Sequence, residues 1–140
     1  AICTSFKQEL LVGTHNFTAT TGNTFKIALY TSSATLGAGT TAFSSTNEIT
    51  NSSGTAYTSG GASLTSVTPT TDSTTAVCDF ADVSFTSASF TANGALIYNS
   101  SQSNKAVAVI AFGGDKTVSS GTFTIQFPTA DATNAIIRLA

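Results

Sequence analysis

Along most of this chain, apolar residues recur at every second position in short runs that end in glycine, asparagine or serine. Phe123, Ile125 and Phe127 alternate with Thr122, Thr124 and Gln126, and Phe25, Ile27 and Leu29 alternate with Lys26, Ala28 and Tyr30. A period of two sends alternate side chains to opposite faces of a strand, so each run buries one face and wets the other. Further runs at 62–67, 75–80, 83–85, 95–98, 106–112 and 135–139 predict a succession of short strands, which is the signature of an antiparallel sandwich or barrel. The expected fold is all-β: one antiparallel β-sandwich domain over 1–140, Ig-like or jelly-roll-like, with its sheet region at 24–140.

Only the N-terminus departs from this period. Ile2, Phe6, Leu10 and Leu11 fall at helical spacing, Ser5 and Gln8 could form a capping box, and Gly13 could end the helix. One short helix is therefore expected within 1–13, over about residues 4–12. The stretch 31–61 is rich in Ser, Thr, Gly and Asn, and reads as long loops with one short strand near Ala42–Phe43 or Glu48–Ile49. Gly113 and Gly114 read as positive-φ turn residues joining two strands.

Two of the predicted strands are apolar on both faces, Ala95-Leu96-Ile97-Tyr98 and Ala106-Val107-Ala108-Val109-Ile110-Ala111-Phe112. In a two-layer sandwich the second face of a strand normally meets water, so these need the N-terminal helix or another subunit as cover. Homo-oligomerisation is the expectation, with Phe6, Leu10, Leu96, Tyr98, Val107 and Val109 as the interface. Charged gatekeepers that keep strand edges apart are scarce, since Lys105 and Asp115 flank the second strand and nothing charged lies within it.

Composition excludes several functions. Charged residues are 9% of the chain against about 25% in ordinary soluble domains, and Ser plus Thr supply about a third. With five Lys and Arg, no basic face exists for nucleic acid or for an anionic membrane. No run approaches the ~18 apolar residues of a membrane span, and the first residues lack the pattern of a signal peptide.

Candidate chemistry is sparse. His15 is the single histidine and lies just after the predicted helix; a catalytic role would need a nucleophile and an orienting carboxylate, and serine is so plentiful that no particular partner is marked, so no enzymatic activity is expected. Asp72, Asp79, Asp82, Asp115 and Asp131 lack Ca²⁺-loop spacing, Glu9 belongs to the helix, and no cofactor or metal motif occurs. Cys3 and Cys78 lack zinc-ligand spacing; Cys78 shares a strand face with Ala76 and Phe80 and reads as a small buried hydrophobe, a disulfide to Cys3 being the alternative. Sequons at Asn16, Asn51 and Asn99 are as many as this composition produces unselected.

The strings AICTSFKQELLVGTHNF, DFADVSFTSASFTANGALIYNSS and GTFTIQFPTADATNAIIRLA resemble, over essentially the whole chain, small virion structural proteins of tailed bacteriophages, especially marine and cyanobacterial ones. The resemblance implies a place in the virion and supplies no catalytic residues. It leads to the expectation of a capsid decoration or cement protein, assembled in the host cytoplasm as a homo-oligomer, a trimer favoured, on the major capsid protein or other virion proteins. A tail or fibre component with a host-surface binding role is the alternative, and a secreted adhesin or pilin-like subunit a further one.

Overall fold

A computed structural model describes residues 1–50 and 56–140. Helix α1 (Thr4–Leu11) is followed by β1 (Phe25–Tyr30), β2 (Ala62–Ser63), β3 (Ser66–Asp72), β4 (Thr75–Phe80), β5 (Val83–Asn99), β6 (Lys105–Ile125) and β7 (Ile137–Leu139). The strands form two antiparallel sheets, ordered β2-β1-β5-β6 and β3-β4-β7. The chain is thus the expected all-β sandwich with one short N-terminal helix.

The helix ends as its sequence indicates. Gly13 takes φ +76°, and Thr14 N–H donates to Glu9 O at 3.0 Å, closing the last turn. Its start differs: the N-cap is Cys3, with no side-chain cap, and Ser5 lies one residue inside the helix. The Ser5 hydroxyl is buried without a hydrogen-bond partner among the described residues, so the capping box does not form.

The principal departure concerns β5 and β6, each of which joins segments expected to be separate strands. They pair over 17 and 21 residues from the turn at 100–104 outward. Ala92 opposes Lys116 and Gly94 opposes Ala111, so Phe112–Asp115 bulge out of β6 opposite Asn93. Gly113 (φ +78°) and Gly114 (φ +148°) are therefore bulge residues inside one strand rather than a turn between two. Eleven residues of straight strand would separate Phe112 from Phe123 by about 36 Å. Their rings lie 6.0 Å apart, so the hairpin folds back on itself at this bulge. Its distal half turns Phe85, Ala88 and Phe90 inward, where the two rings pack on Tyr57.

Between the layers, Phe25 stacks on Phe17 at 4.2 Å and meets Phe80 at 5.9 Å, while Tyr57 packs on Phe85 and Phe90. The opposite face of β1 and β5 is covered by the chain's own loop. Phe43 stacks on Tyr98 at 4.7 Å, and the Tyr30 hydroxyl donates to Ser44 O at 2.7 Å. The cover for the doubly apolar strands is therefore the segment between β1 and β2 on one face, and the folded-back hairpin with α1 on the other.

Candidate functional site

The residues expected at an oligomer interface are mostly spent inside the protomer. Phe6, Leu96, Tyr98 and Val107 are 2% exposed or less. Phe6 packs on His15 and Phe17, and the Tyr98 hydroxyl donates to Gly60 O at 2.6 Å. These four cannot reach a partner without unfolding, which corrects the interface assignment. The sequence reading missed the loop cover because Ser, Thr and Gly hide how few anchors, Phe43 and Leu36 among them, can roof a sheet. Val109 and Leu10 remain half-buried, Val109 beside Ala34 and Leu36, Leu10 on a groove described below.

His15 is built into a buried relay. Its Nε2 lies 3.1 Å from Glu9 Oε1 and its Nδ1 2.9 Å from Asn99 Nδ2, and its side chain is fully buried. Backbone donors fix the direction of every bond in the relay. Ser101 N–H donates to Asn99 Oδ1 and Asn16 N–H donates to Asn23 Oδ1, which sets both amides. Asn99 Nδ2 then donates to Asn23 Oδ1 and to His15 Nδ1, leaving Nε2–H of the neutral ring to donate to Glu9. Lys105 Nζ, 3.4 Å from the other Glu9 oxygen, ties the root of β6 to the same helix. With both ring nitrogens committed, His15 joins α1 to the hairpin tip and has no lone pair to act as a base.

A second polar hub was not singled out from sequence. The Glu48 carboxylate accepts from the Tyr57 hydroxyl (2.5 Å), the Ser59 hydroxyl (2.8 Å) and Gly60 N–H (2.7 Å). Tyr57 in turn accepts Leu29 N–H at 2.9 Å from β1. Burial, then the hydrogen bond to Glu48, raises the Tyr57 phenol far above its usual value, so it stays a donor. Only three-dimensional folding brings Glu48 to Tyr57 and Gly60, so no sequence spacing could have marked it.

Both cysteines are free thiols. Cys3 is wholly buried, and burial pushes the Cys78 thiol up to about 11, which keeps it protonated and unreactive near neutrality. Of the sequons, Asn99 is fully buried and closed to modification, Asn16 is exposed, and Asn51 lies outside the described residues.

The exposed apolar side chains have a distinct distribution. Leu11 (88%) and Val12 (68%) lie at the end of α1, Val67 (45%) on β3 and Leu139 (58%) on β7. A groove of about 540 Å³ runs between α1 and the β3-β4-β7 sheet, lined by Leu10, Phe17, Pro69, Ala76, Cys78 and Leu139. Beside these apolar side chains it is lined by the polar residues His15, Asn16, Thr18 and Thr68. The chain matches no family model, no curated protein and no solved structure.

Proposed function

We propose that this protein is a structural component of a tailed-bacteriophage particle, a capsid decoration or cement protein that stabilises the head by contact with its neighbours. The observation carrying this reading is the division of labour among the side chains. His15, Glu9 and Glu48 are engaged in holding the fold, whereas four large apolar side chains stay exposed: Leu139 lines the groove between α1 and the β3-β4-β7 sheet, Leu11 and Val12 directly follow Leu10 of the same groove, and Val67 lies on β3. The resemblance over the chain's opening, middle and ending supports the same reading. Attachment to the particle, and to further copies of this chain, is assigned to that groove and its rim rather than to the buried strands.

The experiment is reconstitution on particles lacking this protein. Leu11→Asp combined with Leu139→Asp places two charges on exposed positions, so the variant should fold with an unchanged melting profile and fail to bind. Normal binding by the double variant would refute the attachment surface. Copy number in purified virions tests the location: a decoration protein is comparable in abundance to the major capsid protein, and a scarce band would assign the chain to the tail instead.

A further inference from the structure

Of the chain's eight asparagines, Asn93 alone is followed by glycine. It sits at the corner where the β5–β6 hairpin folds back. The ladder slips between Ala92 and Gly94, so Asn93 has no cross-strand partner, and its half-exposed side chain reaches across the bulge, Nδ2 donating to Asp115 Oδ1 at 3.0 Å. The fold also requires glycine next to it. A Cβ at position 94 would lie 2.8 Å from Ile110 O, too close for any side chain. A bulky residue at 94 would slow attack by its main-chain nitrogen, and this corner excludes one.

We propose that Asn93–Gly94 is a site of spontaneous covalent modification that loosens the corner as the protein ages. The main-chain nitrogen of Gly94, giving its proton to water, adds to Cγ of Asn93 and forms a new C–N bond. The Cγ–Nδ2 bond breaks, and the amide nitrogen leaves as ammonia after taking up a proton. Water then opens the five-membered imide at either carbonyl, giving aspartate or isoaspartate, so the net change is one water consumed and one ammonia released, with no oxidant or reductant. Gly94 is paired with Tyr30 and Ala111 in the closed corner, so attack proceeds from transient openings and its rate reports how often they occur. The product replaces a donor to Asp115 with a second carboxylate, and isoaspartate also lengthens the backbone there.

The test is prolonged incubation of the full chain in warm, mildly alkaline buffer, followed by peptide mapping and thermal melting. Conversion should be several-fold faster at Asn93 than at exposed Asn104 and Asn134, and the converted fraction should melt below the fresh protein. Asn93→Gln, whose longer side chain cannot close the same ring, should show no time-dependent loss. In Asp115→Asn the like-charge pair cannot form, so conversion should lower the melting temperature less. Conversion at Asn93 no faster than at Asn104 and Asn134, or a converted protein that melts like the fresh one, would overturn the proposal.

Discussion

Replacing Asn99 by leucine, which has nearly its shape and none of its hydrogen-bonding capacity, tests whether the His15 relay holds the helix to the sheet. Asn99 is fully buried and makes three bonds, to His15, to Asn23 and from Ser101 N–H. Their loss is unequal. Asn23 Oδ1 keeps Asn16 N–H, and Ser101 is exposed enough for water to replace its partner, but His15 Nδ1 is left buried and unpaired. A buried orphan costs about 1–3 kcal/mol and each of the two compensated bonds about 1, giving roughly 3–5 kcal/mol for Asn99→Leu. For a chain of this length that lowers the melting temperature by roughly 10–17 °C, read by circular dichroism and by the urea midpoint. His15→Leu alone should cost a similar amount. The double variant removes donor and acceptor together, so it should cost less than the sum of the singles, with a coupling of about 1–2 kcal/mol. Strict additivity, or an Asn99→Leu loss under about 0.5 kcal/mol, would refute the relay as a stabilising unit.

Gly61 sits at φ +82° and a Cβ there would fall 1.8 Å from Ile27 O, so Gly61→Ala should cost upwards of about 3 kcal/mol in urea unfolding, whereas Gly37→Ala, with open space around it, should be nearly silent. Phe6→Ala empties a buried ring site under α1 and should lose about 3–5 kcal/mol by the same assay, while Leu11→Ala, on the exposed side of the same helix, should lose under about 0.5. Cys78 should resist alkylation at neutral pH and react as its thiolate forms. Between the ordinary thiol value of 9.0 and about 11 the unfolded chain gives up this proton while the folded chain keeps it, so stability falls as pH rises across that interval, and Cys78→Ala should lose this part of the decline.

The period-two runs carried the fold class, and 25–30 and 75–80 both became strands with those bounds, although β1 is buried on both faces because the loop after it covers the side of Ala28 and Tyr30. Where tertiary context decided, sequence was mute. β3 contains Pro69, which reads as a break, yet Pro69 lies on the edge strand of the β3-β4-β7 sheet, where a missing N–H costs nothing. The segments 86–94 and 113–121 lack large apolar residues except Phe90 and Val118, and neither carries a period-two run that predicts a strand. They are strand because each has the other as partner, with Thr91 and Thr117 hydroxyls bonded across the outer face at 2.9 Å. The short strand expected near Ala42 or Glu48 resolved into single bridges at both places. Of the site, His15 was visible as a lone histidine, but its partners Glu9 and Asn99 are 6 and 84 residues away and no local pattern joins them.

A chain this poor in charge needs another way to keep its sheet edges from pairing with other chains, and the structure supplies it with backbone rather than with lysine. The outer edge of β6 is occupied at its root by the chain itself. Ile2 bridges to Ala108, with Cys3 N–H donating to Val107 O at 3.0 Å and Val109 N–H to Ala1 O at 2.7 Å. Ala42 bridges to Lys105 beside it. On the opposite side of that sheet, β2 covers only Lys26 and Ile27, and the edge is continued by the residues around Glu48: Ile49 N–H donates to Leu29 O and Thr31 N–H to Asn47 O, both at 3.0 Å. Among the described residues the distal hairpin has no such cover, and there the ladder slips twice, around Ser87 (φ +50°) and Ser120 (φ +47°), so that it presents no long regular row of donors and acceptors. These positive-φ serines carry strain of order 1 kcal/mol each, a small cost for interrupting an edge that would otherwise pair with other chains. The low charge follows from the same solution: with edges occupied by main-chain bonds and interrupted by bulges, the outer faces are free to be Ser and Thr without charged gatekeepers.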